Sequence, residues 1–181
     1  MTPNKEDYLK CIYEIGSRHK KITNKEIAQL MQVSPPAVTE MMKKMLAEEL
    51  LVKDKKAGYL LTDLGLRLVS DLYRKHRLIE VFLVNHLGYS TDEIHEEAEV
   101  LEHTVSERFV ERLDAMLQYP KICPHGGTIP AKGELLDEEN QLTLEEASAP
   151  GDYIIKRVHD DFDLLKYLEK YNLQICLLYT S

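Results

Sequence analysis

Apolar residues recur at helical spacing near the start of the chain. Tyr8, Leu9, Ile12, Tyr13 and Ile15 predict a helix over 4–18, with Asn4 placed to cap it and Gly16 at its fraying end. The next segment, TNKEIAQLMQVS, opens on the Thr23–Glu26 spacing of a capping box and carries Ile27, Ala28, Leu30 and Met31 as its buried face. It runs into a second start signal, Ser34, with Pro35 at the favoured first helical position. The helix that follows, PPAVTEMMKKMLAEEL, turns Val38, Met41, Met42, Met45 and Leu46 inward. Two short helices joined by a tight turn form a helix-turn-helix. The period then changes. Leu51-Val52 and Tyr59-Leu60-Leu61 read as strands, and Lys53 to Gly58 reads as the basic turn of a β-wing between them.

Thr62 caps a long helix that should end near Gly88. Ser90 and Glu93 repeat the capping-box spacing before a helix running to about Thr104, and Ser106 opens another that stops before Pro120. These helices carry Leu78, Ile79, Val81, Phe82, Leu83, Ile94, Val100, Leu101, Val105 and Phe109. That is more apolar surface than so few elements hide in a monomer, which predicts a dimer interface. Residues 120–150 are rich in Pro, Gly and acidic groups and read as a structured loop followed by a linker. From Gly151 a strand and then a helix follow, too short to bury a core alone.

Charge divides the chain in the same place as the pattern. The net charge is −8, yet residues 1–74 carry 13 Lys/Arg against 10 Asp/Glu, and residues 75–181 carry 10 against 21. The two parts therefore have different electrostatic partners. An apolar content of 44% excludes a disordered chain. The polar start MTPNKEDY is no signal peptide, and no window approaches the ~18 apolar residues of a membrane span. Three scattered cysteines build no disulfide framework. The expectation is a soluble, cytoplasmic protein without a membrane partner.

The basic part predicts duplex DNA as a partner. A recognition helix reads bases with its first turn and steadies itself on phosphates. That turn offers Ser34, Pro35, Pro36, Ala37, Thr39 and Glu40, small and hydroxyl groups suited to thymine methyls and base edges. Lys43 and Lys44, with Lys53, Lys55 and Lys56 of the wing, suit the backbone. A winged helix used for protein contacts is the alternative.

The acidic part predicts a metal. The stretch EIHEEAEVLEH, Glu93 to His103, packs five glutamates and two histidines together. Helical spacing puts His95, Glu99, Glu102 and His103 on one face, where like charges repel by a few tenths of a kcal/mol per pair. A divalent cation turns that repulsion into coordination; a solvated acidic face is the plainer reading. Two further ligand-type pairs favour the metal: His76 with Glu80 at i, i+4, and Cys123 with His125 in the loop CPHGG. A zinc hydrolase needs a second histidine four residues after the first, and Glu99 stands there instead. Without a phosphate loop or a Ser/His/Asp arrangement, no enzyme and no small-molecule substrate is expected.

The stretches NKEDYLKCIYEI, ITNKEIAQLMQVSPPAVTEMMKK, RKHRLIE and HEEAEVLEHTVSE, with CPHGG, resemble the diphtheria-toxin-repressor family of metal-dependent regulators, in particular its streptococcal manganese-responsive branch. The resemblance covers the chain to about Ile175. It implies a mainly α protein: a winged helix-turn-helix over 1–72, a helical metal-binding and dimerisation domain over 73–140, and a linker with the start of an SH3-like domain over 141–175. It also implies two metal sites, one of Asp7, Glu99, Glu102 and His103, the other of Glu80, Cys123, His125 and Asp160, with His76 and His95 as ancillary ligands. The iron-sensing branch has sulfur ligands where this chain has Asp7 and Glu99. Carboxylates there favour Mn²⁺; the mixed Cys/His/carboxylate set also suits Zn²⁺, and Fe²⁺ is the further alternative for the chain as a whole. The implied function is a manganese-dependent homodimeric repressor of metal-uptake genes, with an iron or zinc sensor as the alternative.

The last six residues, CLLYTS at 176–181, look like the translation of a transposon adapter end, TGTCTCTTATACACATCT. On that expectation Cys176 carries no function. Deleting 176–181 should leave thermal stability and DNA binding unchanged, measured by melting and by anisotropy on duplex DNA.

Overall fold

The computed structural model describes residues 2–18, 21–91, 93–138, 142–158, 162–173, 175 and 178–180. Among them are α1 (Pro3–Ser17), α2 (Asn24–Leu30), α3 (Pro35–Ala47), β1 (Leu51–Asp54), β2 (Gly58–Leu61), α4 (Asp63–Phe82), α5 (Ile94–Glu102), α6 (Glu107–Met116), β3 (Asp152–Ile154), α7 (Phe162–Lys170) and β4 (Leu178–Thr180). The chain forms two compact units, residues 1–72 with 133–136, and residues 73–132 with 137–181.

The first unit is a winged helix-turn-helix. Helix α1 starts one residue earlier than its pattern suggests. Pro3 takes the first position behind Thr2, so Asn4 lies inside the first turn and not at the cap. Proline's fixed φ and missing N–H suit that place. Leu9, Ile12 and Ile15 are buried from α1, each worth about 1.5–3 kcal/mol. The Thr23–Glu26 capping box forms in full at α2, and Ser34 accepts from the Ala37 N–H at α3. Leu30, expected inside, is exposed: α2 is only seven residues long and turns Ile27 and Ala28 to the core. On α3, Val38, Met42 and Met45 are buried, with Met41 and Leu46 half-buried.

The wing is the antiparallel pair β1–β2, registered Leu51 to Leu61 and Asp54 to Gly58. Strand β1 extends through Lys53 and Asp54, so the turn is shorter than expected. Asp54 Oδ1 tightens it by accepting from the Lys56 and Ala57 N–H groups. The Ala57 carbonyl then accepts from Ile22 N–H at 2.9 Å, tying the wing's turn to the segment that leads into α2. Gly58 sits at φ +84°, and a Cβ there would lie 2.0 Å from the Ile22 carbonyl oxygen. Only glycine fits.

In the second unit α4 continues into a π-helical turn, Leu83–Leu87, which closes at Gly88. Leu78, Ile79, Val81, Leu83 and Ile94 join Ala98, Val110, Leu113, Cys123 and Ile129 in one core, with Phe82, Leu101 and Val105 packed on it. Most of the apolar surface that suggested a dimer is therefore hidden within the chain. Val100 and Phe109 of that set are exposed. Arg74 of α4 pairs with Asp114 of α6 at 2.6 Å, both nearly buried. Strand β3 pairs antiparallel with β4, so residues 178–180 have a backbone partner that the sequence reading did not expect. An open strand edge accepts any extended segment, whatever its side chains. Cys176 lies outside the described residues.

Thr23→Ala should cost about 1 kcal/mol of stability. Gly58→Ala should cost more, because backbone must move; urea midpoints at neutral pH order the two.

Candidate metal centre

Helix α4 presents His76 and Glu80 one turn apart, facing the core of the second unit, and both are buried. Helix α5 brings Glu102 to the same place, 1% exposed. The His76 ring lies between two carboxylates, with Nδ1 2.6 Å from Glu102 Oε2 and Nε2 3.1 Å from Glu80 Oε1. A neutral imidazole carries one N–H, so one of these contacts needs a second proton or a cation.

The loop after α6 delivers the other groups. It turns back at residues 123–127: Cys123 N–H donates to the Gly127 carbonyl at 2.9 Å, and Ile122 bridges Thr128. His125 Nε2 lies 2.9 Å from the Thr91 carbonyl, and its Nδ1 lies 3.0 Å from Glu80 Oε1. A carbonyl only accepts, so Nε2 carries the proton. In the neutral ring Nδ1 then turns a lone pair towards a carboxylate oxygen, so this contact too needs a second ring proton or a cation. One donor atom each from Glu80, Cys123 and His125 lie within 4.8 Å of one another, as do those of His76, Glu80 and His95. Glu80 Oε2 is buried without a hydrogen-bond partner among the described residues. These residues fit a divalent metal ion: an anionic oxygen, a thiol and an imidazole converge, and one buried oxygen is left over.

Electrostatics favour the ionised carboxylate. Burial pushes the Glu80 carboxyl up, but the His76 and His125 imidazoles outweigh it and hold it well below the usual carboxylate range. Burial pushes the Cys11 thiol of α1 up to about 12, so that cysteine stays protonated and unreactive.

Of the residues that share the α5 face, Glu102 is buried and Glu99 is exposed. His95 Nε2 lies 3.5 Å from Glu99 Oε1, its ring 5.0 Å edge-on from His76. His103 Nε2 lies 3.6 Å from Glu102 Oε1. Asp7 lies on α1 of the first unit, and Asp160 lies outside the described residues. Sequence reading missed the Glu102–His76 contact and the Thr91 carbonyl. Spacing along one helix carries no signal for either.

On the first unit, Ser34, Pro35, Pro36, Ala37, Thr39 and Glu40 are all exposed, as are Lys43, Lys44, Lys53, Lys55 and Lys56. Several of these groups are already engaged, Ser34 among them as the cap of α3. Thr39 Oγ1 donates to the Pro35 carbonyl and accepts from Asn24 Nδ2, each at 3.0 Å. Lys44 pairs with Glu40 at 2.8 Å across one exposed turn.

Two family models match consecutive parts of the chain. "Iron dependent repressor, N-terminal DNA binding domain" covers residues 1–59, and "Iron dependent repressor, metal binding and dimerisation domain" covers residues 62–131. Among solved structures, the apo form of the manganese-activated repressor ScaR is 80% identical with a TM-score of 0.90, over 95% of this chain and 82% of that one. ScaR is also known with Zn²⁺ and with Cd²⁺ bound. The manganese regulator SloR is 63% identical with a TM-score of 0.86, over 98% of this chain and 83% of that one. The HTH-type transcriptional regulator MntR of Geobacillus kaustophilus (strain HTA426) is 33% identical over 118 residues, 65% of this chain and 83% of its own.

The Glu80 carboxyl titrates at an ordinary 4.5 when unfolded and lower when folded. Its stabilising contribution is therefore complete above about 4.5 and erodes as the pH falls below that value, by up to about 1.4 kcal/mol per pH unit per proton. Urea titrations in chelator should show this loss, and Glu80→Gln should flatten it.

Proposed function

Because the chain belongs to the iron-dependent repressor family of metal-dependent transcription regulators, we propose that it is a manganese-responsive repressor of metal-uptake genes that binds operator DNA as a homodimer. The observation that carries this reading is the convergence of Glu80, Cys123 and His125 on a chain whose other unit is a winged helix with exposed lysines. The protein acts in the cytoplasm, where its operators are, and has no catalytic step. Among the described residues no helix is long and apolar enough to cross a membrane.

Two ligand sets serve this function. Asp7, Glu99, Glu102 and His103 would hold one ion, and Glu80, Cys123, His125 and Asp160 another, with His76 and His95 ancillary. Mn²⁺, when bound, supplies a divalent charge that hard carboxylate oxygens share. Asp7 is the one ligand of the first set that comes from the DNA-binding part of the chain, so its carboxylate is what joins sensing to DNA binding. Without an ion, the Asp7 carboxylate would repel those of Glu99 and Glu102, which would leave the DNA-competent arrangement poorly populated. In that arrangement the two recognition helices of a dimer would lie about 34 Å apart, one turn of DNA. Ser34, Pro35, Pro36, Ala37, Thr39 and Glu40 face the bases, and Lys43, Lys44, Lys53, Lys55 and Lys56 face the phosphates.

Cys123 supports a second reading, a zinc- or iron-responsive regulator, because a thiolate suits softer ions than Mn²⁺. Titrating Mn²⁺, Fe²⁺ and Zn²⁺ against operator binding separates the two. DNA binding that is indifferent to all three ions and to chelator would sink both.

Asp7→Ala should keep the dimer and the weak, metal-free DNA affinity. It should lose most of the Mn²⁺-dependent gain, a coupling of about 1–3 kcal/mol. Fluorescence anisotropy on operator DNA, with and without Mn²⁺, reads the difference.

A further inference from the structure

The guanidinium of Arg77 is among the most deeply buried groups of the second unit, 1% exposed, on the same face of α4 as Glu80. It touches the loop that carries Cys123 and His125 at two points and is held beyond it by Glu138. Nη1 donates to the Thr128 carbonyl. Nη2 pairs at 2.5 Å with Glu138 Oε1, whose other oxygen pairs with Arg157 at 2.8 Å. The plane lies so close to the Gly127 backbone that a Cβ there would come within 2.7 Å of the guanidinium carbon. On its other side the guanidinium carbon sits 4.7 Å from the centre of the Tyr73 ring.

These contacts fix the base of the turn that carries the candidate ligands. Thr128 bridges Ile122, and Gly127 accepts from the Cys123 N–H, so anchoring 127–128 also anchors Cys123 across the turn. The tip is held from another direction. The His125 carbonyl accepts from the Val158 N–H at 3.1 Å, and Gly126, at φ +83°, packs its Cα against the Lys156 carbonyl. Arg157, between those two residues, closes the circuit through Glu138.

We propose that Arg77 is a positioning residue for the Cys123–His125 pair: its guanidinium clamps the CPHGG loop, through Thr128 and Glu138, in the arrangement that brings thiol and imidazole to Glu80. Arg77 is no ligand, since a guanidinium has no lone pair to give. It acts one layer out, and such outer partners tune affinity by orienting ligands. Lysine does not replace it. An ammonium is a point charge and lacks the planar fork that reaches a carbonyl and a carboxylate while stacking on a glycine.

The proposal rests on the reading of Glu80, Cys123 and His125 as a metal site, and Co²⁺ tests the two separately. In the full chain loaded with Co²⁺, a near-ultraviolet thiolate-to-cobalt charge-transfer band that disappears in Cys123→Ser reports ligation by that sulfur. Absence of such a band in the parent overturns the site itself. Given the band, Arg77→Met should lower Co²⁺ affinity at this site about 10- to 100-fold and leave the band weakened at saturation. Arg77→Lys should recover only part of both. A merely structural role for Arg77 would lower the melting temperature while leaving the saturated band at parent intensity. Gly127→Ala displaces the guanidinium from the loop side and serves where Arg77→Met does not fold. Parent affinity and parent band intensity in Arg77→Met, or in Gly127→Ala in that case, overturn the proposal.

Discussion

A carboxylate sealed from water must be neutralised where it sits, and Glu80 is sealed completely. An unpaired charge in such a place costs several kcal/mol, about 3–5 when one partner of a buried pair is removed. Everything around Glu80 answers that cost. His76 reaches it from its own helix, and His125 reaches it from a loop 45 residues further along the chain. Neither imidazole satisfies all its neighbours with the protons of a neutral ring. The cluster therefore needs either added ring protons or a cation, and both oxygens of Glu80 bear on that need: one is shared by two rings, the other has no hydrogen bond among the described residues.

Helix α4 concentrates these duties. Arg74 ties it to α6, His76 and Glu80 face the buried cluster, and Arg77 faces the loop. Within seven residues the helix supplies a strut, two candidate ligands and an anchor. The π-helical turn after Phe82 then brings Tyr89 N–H to the Leu83 carbonyl and sends the chain towards Thr91, whose carbonyl meets His125.

Local chemistry made much of this legible in the sequence. Thr23 with Glu26, and Ser34 with Pro35, announce their helices because capping is decided within four residues. The wing follows from a change of period. The His/Glu/Cys groups were visible as pairs, since i, i+4 and i, i+2 spacings are local too. What could not be read was long-range. Glu138 gave no sign that it would meet Arg77, 61 residues earlier. Leu30 looked like core because a spacing rule does not know that α2 stops after two turns. The surplus of apolar residues in α4 and α5 shrank once α6 and the CPHGG loop folded over them. The metal ligand sets came through resemblance; the fold brings Glu80, Cys123 and His125 of one set together.

The recognition helix carries a consequence for how such a protein would find its place on a chromosome. Its opening residues are a serine that caps the helix, two prolines, an alanine, a threonine whose hydroxyl already holds two hydrogen bonds, and a glutamate paired with Lys44. A surface of that kind senses shape and methyl groups but forms few directional bonds to bases, so each position contributes little discrimination. On the proposed reading attachment would lean on lysines, which hold all sequences alike and weaken with ionic strength. Against the vast excess of ordinary DNA, such a binder has a narrow margin between occupied and vacant sites. A reader with so little vocabulary would be easily governed: a small shift in its internal equilibrium would suffice to decide whether a site is occupied.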